Sequence, residues 1–479
     1  MKKILFVASE AMPFAATGGL GDVIGSLPTA LTEAAAGEAD VRVVMPLYGQ
    51  VKDEFRSEMK EEYVFTVNLA WRKQYCRIMS LERGGVKYYF IDNEFYFKRD
   101  TLYGCGDDAE RYAFFSMAVM CMLPAVDFFP DILHAHDWQS ALSVVYLKTI
   151  FSQDPRYSPI KAVFTIHNIE YQGKFGFEML GDTFSLYETE RSVLEYDGCI
   201  NLMKGAIVCA DIVSTVSPRY AEEIRTPEYS HGLSAILEEN SYKLRGILNG
   251  IDYEYYDPSK DKSIAQTFSS RSISKKAQNK LAIQRELALP EGEDIPMLAV
   301  ISRLAAHKGI DIIAEMIRDL VASNDLQLII LGKGEAEYEN FFRGLEYDFP
   351  SRVRSMIMYD RDLSKRIYAA CDIFLMPSKS EPCGLSQMIA SRYGAIPVTR
   401  ETGGLYDSIK GYWLDGNEIK GNGFTFAGYN SYELRDRINA ALELYADKER
   451  REGLVKKIMK TDFSWKNSAK KYLDMYREI

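Results

Sequence analysis

Short apolar runs alternate with segments of helical periodicity along the first half of the chain. A strand is predicted over residues 3–8, where 4–8 are continuously apolar, and apolar residues at 20, 23, 24, 27 and 31 then follow the period of a helix over 19–35. The same pattern predicts strands at 41–47, 63–71, 77–81, 86–91, 161–167 and 212–216, with a short strand inside 131–138, and helices at 111–123, 141–150 and 219–224. This alternation is typical of a doubly wound α/β sheet.

The alternation restarts after a polar segment, 257–276, that has little periodicity. Strands are predicted at 296–301, 326–331, 353–358, 372–376 and 396–399, with helices at 310–321 and 385–393. We therefore expect an N-terminal domain of residues 1–247 and a C-terminal domain of residues 248–462, with a C-terminal helix within 463–479 that packs back on the first domain. The predicted fold class is α/β, with two Rossmann-like doubly wound domains.

The composition of the chain disfavours several classes of protein. The chain has 479 residues, too many for one ordinary core, and its 58 basic against 68 acidic residues give a net charge of −10. That balance disfavours a nucleic-acid partner. No apolar run approaches the length of a membrane span, and the N-terminus is read as a buried strand rather than a signal peptide. The seven cysteines are scattered without a Cys-x-x-Cys pair, which favours reduced, mostly buried thiols and a cytoplasmic location.

Polar residues gather at the ends of the predicted strands in the first half. They are Glu10, the turn Thr17-Gly18-Gly19-Leu20, His136-Asp137 and His167-Asn168. The turn offers bare backbone N–H groups but lacks the Gly-x-Gly-x-x-Gly spacing of a dinucleotide site. A zinc site at His134, His136 and Asp137 is an alternative; structural or substrate-binding roles are favoured over it because few histidines remain downstream as further ligands.

The second half places a carboxylate and two cations at strand ends. Glu381 stands in a turn between a buried strand and a helix, where a helix-capping role is the simpler alternative. Arg303 and Lys308 precede another helix and suit a leaving group that gains negative charge. A Thr-Gly-Gly-Leu turn at 402–405 repeats the turn at 17–20. Together these features favour a diphosphate site over solvated surface charges.

Asp360-Arg361-Asp362 could form the Asp-x-Asp cluster that holds a divalent cation under a sugar diphosphate. The alternative is that Asp362 caps the following helix, 363–370. If Arg303 and Lys308 neutralise the diphosphate, no metal is required, and we favour the cap.

In order along the chain, these motifs resemble those of bacterial glycogen synthases and plant starch synthases. The matching segments are Glu10 with TGGLGDV at 17–23, HAHDW at 134–138, HN at 167–168 with YQG at 171–173, LNG at 248–250, SRL at 302–304 with KG at 308–309, EPCGL at 381–385, and Arg400 with TGGL at 402–405. The resemblance runs from residue 4 to FSW at 463–465. Such collinearity is far more specific than any one motif.

The resemblance implies a GT-B glycosyltransferase fold whose domains face each other across a cleft. It implies glucose transfer from ADP-glucose to the non-reducing end of glycogen or another α-1,4-glucan, with retained configuration, no metal and no cofactor. The implied catalytic residues are Glu381, His167, Arg303 and Lys308. The implied donor-binding residues are Gly18, Gly19, Asn249, Tyr359, Cys383, Gly384, Leu385, Thr402, Gly403 and Gly404, with Tyr359 against the adenine. The implied acceptor-binding residues are Glu10, Asp137 and Trp138.

One position departs from the family pattern. The first motif is most often Lys-x-Gly-Gly-Leu, and here Ala16 takes the place of the lysine. Donor affinity and the choice between ADP-glucose and UDP-glucose therefore stay open. The alternatives are a related retaining transferase that uses UDP-glucose and a low-activity homologue that binds glucan or nucleotide. No motif supports a pyridoxal-dependent phosphorylase, and the sequence leaves the oligomeric state, regulation and chain-length preference undetermined.

Overall fold

The computed structural model describes all residues from 1 to 479, and they form two compact units. Unit 1 comprises Met1–Gly250 together with Trp465–Ile479, and unit 2 comprises Ile251–Ser464. The chain leaves unit 1 directly after the Asn249-Gly250 turn and returns to it at the last helix.

Unit 1 contains twelve strands and ten helices before the chain enters unit 2. The strands are β1 (Lys2–Val7), β2 (Ala39–Pro46), β3 (Lys60–Leu69), β4 (Arg72–Arg83), β5 (Val86–Asp92), β6 (Ile132–His136), β7 (Lys161–Ile166), β8 (Lys174–Phe175), β9 (Glu195–Tyr196), β10 (Cys199–Asn201), β11 (Ile212–Thr215) and β12 (Leu244–Gly246). The helices are α1 (Gly19–Ala34), α2 (Asp53–Arg56), α3 (Glu94–Phe97), α4 (Asp108–Ala125), α5 (Trp138–Lys148), α6 (Met179–Asp182), α7 (Arg191–Leu194), α8 (Leu202–Cys209), α9 (Pro218–Glu223) and α10 (Ser234–Glu239).

The main sheet of unit 1 has nine strands in the order β12-β11-β7-β6-β1-β2-β5-β4-β3. The seven strands from β12 to β5 are parallel, and β4 and β3 add an antiparallel edge. Strand β1 lies at the point where the order reverses, since β2 pairs on one side of it and β6 on the other. In open α/β sheets such a switch point leaves a crevice at the carboxyl ends of the strands, where ligands bind.

Unit 2 has eight strands and eight helices. The strands are β13 (Met297–Ile301), β14 (Gln327–Leu331), β15 (Val353–Met356), β16 (Ile373–Met376), β17 (Ile396–Arg400), β18 (Trp413–Asp415), β19 (Glu418–Lys420) and β20 (Phe424–Phe426). The helices are α11 (Lys276–Glu286), α12 (Ile310–Ser323), α13 (Ala336–Asp348), α14 (Arg361–Ala370), α15 (Ser386–Arg392), α16 (Gly403–Ser408), α17 (Ser431–Ala446) and α18 (Lys448–Lys460).

The main sheet of unit 2 is wholly parallel, in the order β15-β14-β13-β16-β17-β20. Its switch point lies between β13 and β16. The central strands of both sheets are continuous apolar runs, and β1, β14 and β16 are buried through most of their length. Strands covered by helices on both faces require this pattern, because neither face meets water.

The last helix, α19 (Trp465–Arg477), belongs to unit 1. Its apolar face is buried, and the phenol of Tyr476 is 2.7 Å from Nδ1 of His134 on β6. Arg245 and Glu478 form an ion pair of 2.7 Å beside β12. The amphipathic pattern of the tail therefore reflects packing on unit 1, where α19 lies mainly against α1 and Tyr476 reaches β6.

The structure confirms the predicted fold class of two Rossmann-like α/β domains. Most predicted strands and helices agree within a few residues, but the elements without a prediction include the helices α13, α17 and α18, the sheet of β8, β9 and β10 and the hairpin of β18 and β19. Strands of two or three residues are too short to show periodicity. None of the helices combines the length and the apolar character needed to cross a membrane.

Two details of the sequence analysis are wrong. Asp360, not Asp362, caps α14, because its Oδ1 accepts a hydrogen bond of 2.8 Å from the N–H of Leu363, which leaves Asp362 in the first helical turn. The seven cysteines are free as expected, but only three of them are buried.

Candidate active site

The cations and the carboxylate predicted in unit 2 meet at the switch point of its sheet. Arg303 and Lys308 follow β13, and Glu381 follows the neighbouring strand β16. Nζ of Lys308 is 2.7 Å from Oε2 of Glu381, and the side chains are 18% and 8% exposed. Ser378 Oγ donates to the same carboxylate oxygen at 2.9 Å. Glu381 is thus a fixed, nearly buried anion at the place where this fold binds ligands.

A glycine allows the two loops of this pair to touch. Gly309 has a φ of 77°, and a Cβ atom on it would lie 2.2 Å from the carbonyl oxygen of Pro377. Only glycine tolerates both the left-handed backbone and this approach. The close contact brings Lys308 beside the loop that carries Glu381.

Arg303 and Tyr359 lie at the same carboxyl edge and remain exposed. The guanidinium of Arg303 forms no ion pair within the protein, whereas Lys308, five residues later, is paired with Glu381. Tyr359 follows β15, and 81% of its surface is exposed. An unpaired cation and a bare aromatic ring at one sheet edge can receive the phosphates and the base of a nucleotide.

The second Thr-Gly-Gly-Leu turn packs directly on the Glu381 loop. The N–H of Gly404 donates to the carbonyl of Glu381 at 3.1 Å. Cβ atoms on Gly403 and Gly404 would lie 2.0 Å from the carbonyl oxygen of Glu381 and 2.1 Å from that of Cys383. The amide of Gln387 ties the other side of the loop through bonds to Cys383, Gly384 and Ser408. This turn therefore holds the 381–385 loop in place.

The first Thr-Gly-Gly-Leu turn, in unit 1, is held differently. The carboxylate of Glu10, only 3% exposed, accepts hydrogen bonds from Thr17 N at 2.6 Å, Thr17 Oγ1 at 2.8 Å, Gly18 N at 3.2 Å and the phenol of Tyr103 at 2.6 Å. No atom would approach within 4 Å of a Cβ atom on Gly18 or Gly19. The turn is thus open toward solvent and anchored from below by Glu10. An acceptor-binding role for Glu10 stays a prediction.

Two histidines meet where β6 and β7 end. Nδ1 of His136 is 3.0 Å from Nε2 of His167. The third histidine, His134, is buried, and its ring nitrogens lie 2.7 Å from Tyr476 Oη and 2.6 Å from Thr165 Oγ1. His134 is thus held in the interior by hydrogen bonds at both ring nitrogens, whereas His167 is partly exposed at the sheet edge.

Asp137 has a strained backbone and an altered acidity. Its φ of 57° and ψ of 177° lie in a region that residues other than glycine rarely occupy. Two hydrogen bonds stabilise this strained conformation. The N–H of Asp137 donates to Thr165 O, and its carboxylate accepts from the N–H of His167 at 2.7 Å. Burial raises the pKa of Asp137 to about 7, against the opposing effect of backbone hydrogen bonds from His167 and Asn168. Strain and a shifted pKa in one residue are frequent marks of a functional site.

Trp138 and Asn249 complete the edge of unit 1. Trp138 begins α5 and packs edge-on against Tyr112, with ring centroids 5.3 Å apart. Asn249 follows β12 and is buried, and its Oδ1 has no hydrogen-bond partner in the protein. A buried acceptor without a donor is costly unless a ligand supplies one.

The structure thus gathers the predicted residues at two sheet edges, one in each unit. The sequence analysis missed Tyr103, Ser378 and the contact of His136 with His167. Tyr103 lies in a loop with no periodic signal, while Ser378 stands three residues before Glu381, in the turn between β16 and α15. The nearness of Ser378 to Glu381 in the sequence was the one signal that could have identified it.

Two family descriptions match the chain: "Starch synthase catalytic domain" over residues 3–239 and "Glycosyl transferases group 1" over residues 282–460. The glycogen synthase of Anoxybacillus flavithermus is 45% identical over 481 residues, which cover 100% of this chain and 98% of the relative. The glycogen synthase of Clostridium perfringens is 47% identical with the same coverage. The chain belongs to the glycogen synthase and starch synthase family.

Solved structures agree with this assignment. The catalytic domain of starch synthase IV from Arabidopsis thaliana, bound to ADP and acarbose, is 33% identical, with a TM-score of 0.91 and coverage of 100% and 99%. A sucrose-phosphate synthase from Thermosynechococcus elongatus has a TM-score of 0.60 at 17% identity, a likeness of fold alone. The family recognised from the sequence and its enzyme class, a retaining glycosyltransferase, are confirmed.

Proposed function

We propose that this protein transfers glucose from ADP-glucose to the non-reducing end of an α-1,4-glucan such as glycogen, with retained configuration. The observation that carries the proposal is the contact of Lys308 with Glu381 beside the unpaired Arg303, at the switch point of unit 2. The Arabidopsis starch synthase, similar over the whole chain, is described as bound to ADP and acarbose, which supports an adenine nucleotide and a glucan as ligands.

The two cations suit the leaving group. As the bond between sugar and phosphate breaks, the diphosphate gains negative charge, and fixed cations stabilise that charge most when little water competes. Arg303 can contact phosphate oxygens through its planar fork of donors, while Lys308 acts as a point charge. Tyr359 would stack on the adenine, and the backbone of the 402–404 turn would lie beside the phosphates. We assign no metal to this step.

Glu381 suits the sugar. A carboxylate held by Lys308 and Ser378 accepts hydrogen bonds from glucose hydroxyls and favours the positive charge that develops on the sugar ring. The Cys383-Gly384-Leu385 segment would border the same sugar. No covalent nucleophile is assigned: the acceptor hydroxyl attacks from the side that the diphosphate leaves, and the departing phosphate takes its proton.

The family resemblance assigns further ligand contacts to residues at the sheet edge of unit 1. The open turn at Gly18 and Gly19 would present its backbone to the donor, and His167 and Asn249, whose buried Oδ1 has no partner in the protein, would contact the donor glucose. Asp137 and Trp138 would lie near the acceptor, with Glu10 behind the turn. Ala16 is exposed at the start of this turn and adds no cation, so UDP-glucose remains the competing donor.

The test is release of nucleoside diphosphate from purified protein with glycogen, using ADP-glucose and UDP-glucose in parallel, with a chelator present. We expect glycogen-dependent ADP release that survives the chelator and falls at least about a thousandfold in Glu381→Gln. The matched control is Glu337→Gln, at an exposed position of α13, which should leave the rate unchanged. Faster turnover of UDP-glucose would reverse the donor assignment, and binding without turnover would favour the low-activity homologue. In that case Ala16→Lys should restore activity.

A further inference from the structure

The contact between His136 and His167 couples the protonation of two rings. Because Nδ1 of His136 lies 3.0 Å from Nε2 of His167, one of these nitrogens must carry a hydrogen and the other must not. Burial lowers the pKa of both side chains, that of His167 to about 3, so both rings are neutral at neutral pH. Each neutral ring has one N–H, and hence only two arrangements of the pair exist.

The far nitrogen of His136 distinguishes these arrangements. His136 is fully buried, and its Nε2 has no hydrogen-bond partner. The ring stacks on Phe6, with centroids 5.1 Å apart, and packs on His134, with centroids 4.2 Å apart. A buried N–H without an acceptor is rarer and costlier than a buried acceptor without a donor. The hydrogen of His136 therefore belongs on Nδ1, which donates to Nε2 of His167.

The tautomer of His167 follows from this. Since its Nε2 accepts a hydrogen bond, its hydrogen must be on Nδ1. That nitrogen has no partner within the protein, and the ring is partly exposed at the carboxyl edge of β7. A donor, not a lone pair, is thus left available at the candidate active site.

We propose that His136 is a positioning residue that fixes His167 as the Nδ1-protonated tautomer, so that an N–H group faces a hydroxyl oxygen of the donor sugar. The contact with the sugar rests on the proposed function, whereas the tautomer does not. His136 itself touches no substrate; it acts only through the orientation and protonation of His167.

The first test is NMR of the full chain labelled with ¹⁵N-histidine, without substrate. The chain has five histidines, and five variants, each lacking one of them, assign the spectrum. Pyrrole-type and pyridine-type nitrogens resonate far apart, so each tautomer can be read directly. We expect His136 and His167 both to be protonated on Nδ1. A His167 protonated on Nε2 would overturn the proposal, whatever the activity.

The second test compares three substitutions of His136. Asn places its amide near the position of Nδ1 and can still donate to His167, whereas Gln places it near Nε2 and Leu offers no donor. His136→Asn should keep kcat/KM within about threefold, while His136→Gln and His136→Leu should lower it at least about tenfold and leave His167 in mixed tautomers. His231→Asn, at an exposed position, is the control. Equal losses in all three variants would show that His136 matters only for packing. A wild-type protein without transferase activity would count against the proposed function and leave the tautomer result standing.

Discussion

Lys308 and Glu381 are 73 positions apart in sequence, yet their side chains form a hydrogen-bonded ion pair of 2.7 Å. They follow β13 and β16, the two strands between which the order of the parallel sheet reverses. The pair connects the predicted diphosphate site with the predicted sugar site. Substitution of either residue should therefore alter ligand binding at both sites.

Removing the charge of Lys308 should impair catalysis more than folding. Lys308→Met keeps much of the side-chain volume but leaves Glu381 without its cation. We expect kcat/KM to fall at least about a hundredfold, because charge on the leaving group loses its partner. Since the pair is only partly buried, the free energy of unfolding should fall by about 1–3 kcal/mol. Steady-state kinetics and urea unfolding measure the two effects.

Lys456→Met is the matched control, because Lys456 forms an exposed i,i+4 ion pair with Glu452 on α18. It should change stability by less than about 0.5 kcal/mol and leave activity unaltered. If Lys308→Met lost stability but retained kcat/KM, the pair would be purely structural.

The two Thr-Gly-Gly-Leu turns should respond differently to the same substitution. In Gly404→Ala the new methyl group would lie 2.1 Å from the carbonyl oxygen of Cys383, so the loop must shift, at a cost of about 2–3 kcal/mol in unfolding free energy. In Gly18→Ala the methyl group meets no atom within 4 Å, and stability should change by less than about 1 kcal/mol.

Thermal unfolding and the KM for the donor separate the two cases. Gly18→Ala should raise the KM in a protein of nearly normal stability, because the methyl group blocks the approach of the donor to the backbone. Equal loss of stability in both variants would contradict the contrast drawn from the geometry.

The sequence predicts the polar residues at the sheet edge of each unit because strand ends are local features. Glu10, Asp137, His167, Arg303 and Glu381 each follow an apolar run, and parallel strands bring such positions to one edge without further information. The two turns have the same sequence, Thr-Gly-Gly-Leu. No local pattern could therefore show that the turn at 17–20 is open and the turn at 402–405 is packed.

Contacts between distant segments could not be predicted. Nothing near Tyr103 indicates that its phenol reaches Glu10, 93 positions away. Asp360 and Asp362 are both acceptable as caps, and a difference of two residues in the start of α14 decides between them.

Asp137 should make stability depend on pH. Burial raises its pKa from 3.8 to about 7, so the folded state favours the protonated carboxyl. This contribution is complete below about pH 4 and is lost as the pH rises through about 7. Asp137→Asn stays neutral and can still accept from the N–H of His167. Its unfolding free energy relative to wild type should therefore increase between about pH 5 and about pH 8.

Urea unfolding of both proteins across this range gives the difference, with Asp319→Asn, at an exposed position, as the control. A difference that stays constant with pH would show that Asp137 is ionised throughout. Activity of Asp137→Asn is a separate readout, because loss of acceptor binding lowers kcat/KM without altering the slope of stability.

The last helix should stabilise unit 1 through one buried phenol. Tyr476 is 1% exposed, and its hydroxyl is 2.7 Å from Nδ1 of His134, whose other nitrogen is 2.6 Å from Thr165 Oγ1. Tyr476→Phe keeps the ring packing but leaves a buried imidazole nitrogen without a partner, so the unfolding free energy should fall by about 1–3 kcal/mol. Tyr347→Phe, at a position that is 84% exposed, should change it by less than about 0.5 kcal/mol. Because the His134 ring packs on His136, loss of the Tyr476 hydroxyl should also broaden the NMR signals of the His136 ring. Unchanged stability in Tyr476→Phe would mean that α19 is held by its apolar face alone.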